Sequence, residues 1–127
     1  MSAKVVVVGS LNMDLVTRAS RLPRGGETLI GQSFATVCGG KGANQAVAAA
    51  RLGAQVSMVG CVGSDAYGQV LRQALLDEGI DCRAVSAVEG TSGVALIVVD
   101  DNSQNAIVIV AGANGALTPA VLGCFDA

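Results

Sequence analysis

The chain has 127 residues, which fits one ordinary domain and excludes two large ones. Hydrophobic residues make up 51% before its 17 glycines are counted and charged residues only 14%, against roughly 45–50% with glycine and roughly 25% in average chains, so some apolar surface is expected to meet a partner. Eight Lys and Arg against ten Asp and Glu give a net charge of −2, with no basic stripe and only Phe34, Tyr67 and Phe125 as aromatics, which argues against nucleic acid as a partner.

Residues 4–9 are a short, continuously apolar, β-branched run, which predicts a parallel strand buried on both faces. A loop is expected from Ser10, Leu11 and Asn12. Between Asp14 and Cys38 the pattern changes: Arg18, Arg21 and Arg24 surround Pro23, Gly25 and Gly26, followed by apolar stretches at 28–30 and 34–37. This reads as a turn linking short, less buried strands. The glycine cluster at 39–42 opens a helix with Ala43, Ala46, Val47, Ala50 and Leu52 at helical spacing and Gly53 just past its end. Its alanine face allows close approach to a sheet, and 56–62 supplies the next buried strand, which is the logic of a βαβ unit.

Ser64 or Asp65 can cap a second helix whose Val70, Leu71, Ala74 and Leu75 form an apolar stripe, with Gly79 after its end. A short strand is expected at 84–88. The runs 94–99 and 107–110 flank the polar segment 100–105 and read as a β-hairpin. Thr118 before Pro119 is the signature of a helix start, but Gly123 weakens that helix and 124–127 show no stop signal, so the chain reads as cut short. With no repeat and no linker it is one unit or part of one, and a parallel sheet of three or four strands with two good helices needs cover from elsewhere.

There is no histidine, so no Ser-His-Asp triad, Cys-His pair or His-containing metal site exists within the chain. Cys38, Cys61, Cys82 and Cys124 stand 23, 21 and 42 residues apart without a C-x-x-C pair and read as reduced thiols. No apolar run approaches the roughly 18 residues needed to span a bilayer, and a cytoplasmic protein without a membrane partner is expected.

Chemistry concentrates in two places. The first is Cys38-Gly39-Gly40-Lys41-Gly42-Ala43-Asn44-Gln45-Ala46, a glycine run opening directly into a helix, where backbone N–H groups and the helix dipole favour an anion or a hydroxyl oxygen. It is neither a Walker A motif, since Lys41 is followed by Gly42, nor a dinucleotide fingerprint, since Gln45 stands where the third glycine belongs. Strand-to-helix punctuation is the plain alternative, but Lys41, Asn44 and Gln45 set three polar groups around the opening, as a polyhydroxylated ligand would require. The second is Asn12 and Asp14, just beyond the first strand, where open α/β sheets bind ligands. An Asx turn would explain them alone; together with Asn44 they would form a pocket that reads hydroxyl groups. Asp65, Asp77 and Glu78 are explained by capping and solvation, and Asp100 and Asp101 by a hairpin loop.

These segments resemble the ribokinase-like (pfkB) carbohydrate kinases. The first strand with Gly9-Ser10-Leu11-Asn12-Met13-Asp14 looks like the family's sugar loop, Pro23 with Gly25-Gly26-Glu27-Thr28 like its lid segment, and the run from Gly39 through Gly53-Ala54 like its first signature. The segments Gly60 to Gly68, Thr91 to Leu96 and Ala111-Gly112-Ala113-Asn114 extend the likeness to about Pro119.

The resemblance implies an α/β fold, part of a three-layer α/β/α sandwich with a small β-sheet lid, whose strands lie within about 14–38 and 93–110. It implies that Asn12, Asp14, Gly40, Lys41 and Asn44 hydrogen-bond the sugar and that Ala95 and Ile107 are apolar lid contacts. It further implies transfer of the γ-phosphoryl group of ATP to the 5-hydroxyl of ribose, with Mg2+ on the phosphates, K+ as activator and a homodimer formed through the lid. Lys41 favours ribose over fructose or nucleosides, although another sugar or nucleoside kinase and a non-catalytic sugar-binding or dimerising module remain open. The family's second signature, a Gly-Ala-Gly-Asp string bearing the catalytic aspartate, does not occur in these residues. Residues 1–127 are therefore expected to be an N-terminal part that lacks the ATP half and any catalytic residue, and to be inactive alone.

Overall fold

The computed structural model describes residues 2–122. In chain order these form β1 (Lys4–Val8), β2 (Asn12–Arg18), β3 (Ser33–Gly39), α1 (Lys41–Arg51), β4 (Gln55–Gly63), α2 (Ala66–Asp77), β5 (Asp81–Val88), β6 (Gly93–Val99), β7 (Asn105–Val110), a 3-10 turn (Gly112–Ala116) and α3 (Pro119–Leu122). The expectations about 123–127 lie outside the described residues.

Two sheets result. β1, β4 and β5 form a parallel sheet in the order β1-β4-β5, and β3, β2, β6 and β7 form a mixed sheet in that order. The second sheet is antiparallel except where β2 runs parallel to β6. Strands come to the parallel sheet through α1 and α2, and both helices close on one core. Ala43 and Ala46 of α1 and Leu71 and Leu75 of α2 join Val7, Val56, Met58 and Val85 there, together with Leu11 and Met13 from the start of the second sheet. Alanines let α1 lie close, as the sequence suggested, while the leucines of α2 fill the deeper gap. Leu11 is fully buried at the junction of the two sheets, and truncating it to Ala should cost about 3 kcal/mol.

Several expectations need correction. β1 is parallel but lies at the sheet edge, and Val6 and Val8 are 42% and 48% exposed, so only one of its faces is covered by described residues. The loop after β1 is shorter than expected: Asn12 already pairs with Gly39 on one side and Gly93 on the other. Residues 28–30 form no strand, because β2 ends at Arg18, where Gln32 N–H donates to the Arg18 carbonyl at 2.6 Å; Ile30 is left 92% exposed. Leu52 lies beyond the last turn of α1 and points to solvent, and Val70, a step around α2 from the buried Leu71, is half exposed.

The hairpin of β6 and β7 is present, with β7 starting two residues earlier than the sequence suggested, at Asn105. Asp100 shapes its turn, accepting from the backbone N–H groups of Asn102 and Gln104, each at 2.9 Å. Asp65 is the α2 cap. Glu78 pairs with Arg51, and Asp77 accepts from Gln73.

Candidate functional site

The register of the second sheet sets the site. Side chains directly opposite one another across a sheet share a face, so the pairings Asp14↔Val37, Asp14↔Ala95 and Ala95↔Ile109 place a carboxylate, a methyl and a branched apolar group in one row. The next row toward the parallel sheet holds Gly39, Asn12 and Gly93, and the row beyond Asp14 holds Val16, Ile97 and Ile107. Neither Asn12 nor Asp14 stands in an Asx turn; both are strand residues on one face.

Glycines let α1 close over this face. A Cβ on Gly42 would lie 2.7 Å from Ser10 N and 2.8 Å from Gly9 Cα, so the first turn of the helix rests directly on the end of β1. Gly40, at φ 98°, turns the chain from β3 into α1, and a Cβ there would lie 2.7 Å from the Ser10 carbonyl oxygen. The contact is fixed by Ala43 N–H donating to that same carbonyl at 3.0 Å. α1 has no side-chain cap, and Lys41 and Asn44 of its first turn stand beside the sheet face.

The outcome is one cleft of about 440 Å3 lined by Ser10, Asn12, Asp14, Gly40, Lys41, Asn44, Ala95, Ile97, Ile107, Ile109, Ala111 and Asn114. All seven residues singled out from the sequence, Asn12, Asp14, Gly40, Lys41, Asn44, Ala95 and Ile107, lie on its wall. Ser10, Ile97, Ile109, Ala111 and Asn114 were not singled out. The isoleucines could have been found only by knowing that β2 pairs with β6. Asn114 is separated from Asn12 by 102 residues, yet its Nδ2 donates to Asn12 Oδ1 at 2.7 Å.

The polar groups are poised rather than satisfied. Neither the Asp14 carboxylate nor the side chains of Lys41 and Asn44 hydrogen-bond to any described residue, and Asn12 keeps its Nδ2 free. Burial pushes the Asp14 carboxyl above its ordinary value, and it forms no ion pair among the described residues. Burial, with a lesser push from Asp14, also raises the Cys38 thiol. Cys38, Cys61 and Cys82 are free thiols. A cleft with one carboxylate acceptor, three amides and an ammonium group beside an apolar wall suits a neutral polyhydroxylated molecule with one apolar edge.

Among the described residues no three His, Cys, Asp or Glu side chains come together as a metal site. No helix among them is long and apolar enough to cross a membrane.

The chain is 52% identical over 117 residues to the ribokinase of Bacillus subtilis and 48% identical over 120 residues to that of Lactococcus lactis. These alignments cover 91% and 94% of the chain but 40% of each relative, so the chain spans about two fifths of their length. The structure of Arabidopsis thaliana ribokinase complexed with ribose and ATP superposes with a TM-score of 0.80 at 40% identity, over 90% of this chain and 38% of that one. The family model for pfkB family carbohydrate kinases matches residues 2–125. The fold and the match along almost the whole chain agree: the chain belongs to the pfkB family of carbohydrate kinases.

Proposed function

We propose that this chain supplies the sugar-binding part of a cytoplasmic ribokinase that moves the γ-phosphoryl group of ATP to the 5-hydroxyl of D-ribose. The observation that carries the reading is the convergence of Asn12, Asp14, Lys41 and Asn44 on one cleft, with hydrogen-bonding capacity unused by the described residues. Asp14 accepts protons from sugar hydroxyls, Asn12 Nδ2 and Asn44 read neighbouring oxygens, and Gly40 leaves room at the backbone. Ala95 and Ile107 bound the apolar edge of the ring. Lys41 stands near the reacting end, where its charge favours the approach of a phosphorylated co-substrate. In the transfer, the 5-hydroxyl oxygen forms a bond to the γ-phosphorus, the bond from that phosphorus to the bridging oxygen of ADP breaks, and the hydroxyl proton passes to a base. In this reading the base, the ATP site and the sites for Mg2+ and K+ belong to sequence other than these 127 residues, and the chain alone is inactive.

The second sheet is the lid of this reading. Its cleft face holds the residues above, and its far face exposes Phe34, Leu96, Val108 and Val110. Such a face supports the homodimer, each lid covering the other.

The experiment is an ATP-dependent phosphorylation assay of the full-length protein on ribose, 2-deoxyribose, fructose and adenosine, with calorimetry of ribose binding. Ribose should show the highest kcat/KM. A preference for another substrate assigns the cleft to a different sugar or nucleoside kinase of the family. Ribose binding without turnover of any substrate assigns it to a binding module.

A further inference from the structure

Asn114 lies in the 3-10 turn, 103 residues from Leu11, and hydrogen-bonds to both sides of the Leu11 peptide backbone. Leu11 N–H donates to Asn114 Oδ1 at 2.9 Å, and Asn114 Nδ2 donates to the Leu11 carbonyl at 3.1 Å. A backbone N–H can only donate and a carbonyl can only accept, so the Asn114 amide has a single orientation. Its second Nδ2 proton then requires an acceptor, and finds Asn12 Oδ1 at 2.7 Å. That fixes the Asn12 amide in turn. With Oδ1 turned toward Asn114, the Asn12 atom left without a partner among the described residues is Nδ2, a donor. The approach is tight: Gly93 stands where a Cβ would collide with both amides.

We infer that Asn114 is a positioning residue which sets Asn12 as a hydrogen-bond donor to the ligand, so that the cleft reads an oxygen lone pair at Asn12 and a hydroxyl proton at Asp14. A sugar hydroxyl offers both. This rests on the proposed sugar-binding role of the cleft and adds to it how the polarity of one subsite is chosen. Asn114 also lines the cleft, but both of its Nδ2 protons are held by Leu11 and Asn12, so its effect on the ligand runs through Asn12.

The test is a double-mutant cycle in the full-length protein, with ribose KM, ATP KM, kcat and Tm measured for each variant. In Asn114→Asp the new carboxylate can still accept from Leu11 N–H but cannot donate to Asn12. Asn12 then turns its Nδ2 toward position 114 and leaves Oδ1 to the ligand. Ribose KM should rise by about tenfold or more in the wild-type background, with ATP KM little changed, and by less than about threefold in the Asn12→Ala background. Should Asn114→Asp fail to fold, Asn114→Ala removes the same donors with a smaller side chain and carries the same cycle.

Equal rises in the two backgrounds, or none in the wild type, overturn the role of Asn114 while leaving the site intact. If Asn12→Ala alone leaves ribose KM and kcat unchanged, the sugar-site reading itself is wrong and this inference goes with it.

Discussion

The carboxylate of Asp65 holds Ser92 by two hydrogen bonds, Oδ2 accepting from the Ser92 N–H at 2.9 Å and Oδ1 from its Oγ at 2.7 Å. Oδ1 also accepts from Gly68 N–H at 3.0 Å, and Ser92 Oγ accepts from Gly63 N–H at 2.9 Å. One side chain thus caps α2 and fixes the entry to β6, and through Ser92 it reaches the end of β4. Asp65→Ala should destabilise the chain by about 3 kcal/mol, because a cap is lost and the buried Ser92 loses its partner. Asp77→Ala, which removes only a bond from Gln73, should change stability by less than about 0.5 kcal/mol in the same urea titration.

Asp65 also predicts an acid limb. Burial works to raise its pKa but is outweighed by the hydrogen bonds from Ser92 Oγ and from the N–H groups of Ser92 and Gly68, so the carboxyl titrates below its ordinary value. A folded pKa below the unfolded one, about 3.9, means that the stabilisation is fully present above that value and is lost as pH falls through the folded one. Asp65→Asn should be less stable at neutral pH and show a shallower loss of stability below about pH 4.

Arg21 and Glu27 close the segment between β2 and β3 with a two-pronged pair, each contact at 2.6 Å, and Glu27 also accepts from Arg24 N–H at 2.9 Å. Hydrogen bonding from Arg21 and then from the Arg24 backbone lowers the Glu27 pKa to about 2. A carboxyl-detected NMR titration should find its midpoint there, and Arg21→Gln should bring it back toward the ordinary glutamate range. Both groups are exposed, so stability should barely move.

Local signals made much of this fold legible. Gly39, Gly40 and Gly42 followed by Ala43 and Ala46 marked both a helix start and a close approach, because only glycine and alanine allow those distances. Asp65 marked a cap. Long-range pairing was hidden: nothing near Asn12 shows that its strand lies parallel to one starting at Gly93, and that register alone brings Ala95 and Ile109 level with Asp14. Asn114 belonged to a recognised segment, but its role depends on a carbonyl and an amide more than a hundred residues away. Residues 28–30 have strand propensity without a partner, and β-propensity acts only where a neighbour pairs.

Asp14 should show opposite effects on stability and on binding. Burial raises its pKa in the folded chain, so at pH values above it the ionised carboxylate opposes folding, and this penalty is relieved as pH falls through the raised value. Asp14→Asn should therefore raise Tm at neutral pH. In the full-length protein the same change should lower kcat/KM for ribose by about 10- to 100-fold, since an amide cannot replace a two-oxygen acceptor. The wild-type rate should also begin to fall, on acidification, at a higher pH than an ordinary aspartate would give. Unchanged ribose kinetics in Asp14→Asn would remove Asp14 from the sugar site.

Gly40 and Gly53 separate backbone strain from close packing. Their φ angles are nearly the same, 98° and 97°, so alanine at either is strained by about 1–2 kcal/mol or more, and Gly40, whose ψ is 134°, sits in a region that glycine alone tolerates. Around Gly53 a Cβ would meet nothing within 4 Å, whereas at Gly40 it would lie 2.7 Å from the Ser10 carbonyl oxygen and 2.9 Å from Asn12 N and Leu11 Cα. These are backbone atoms that cannot rotate aside, so Gly40→Ala must push α1 away from the strand that holds Asn12 and Asp14. Gly53→Ala should cost about 1 kcal/mol in a urea titration and leave ribose KM unchanged in the full-length protein. Gly40→Ala should cost more than about 2 kcal/mol and raise ribose KM by at least about tenfold. Equal losses in the two variants would mean that the short approach between α1 and the Ser10 backbone does not shape the cleft.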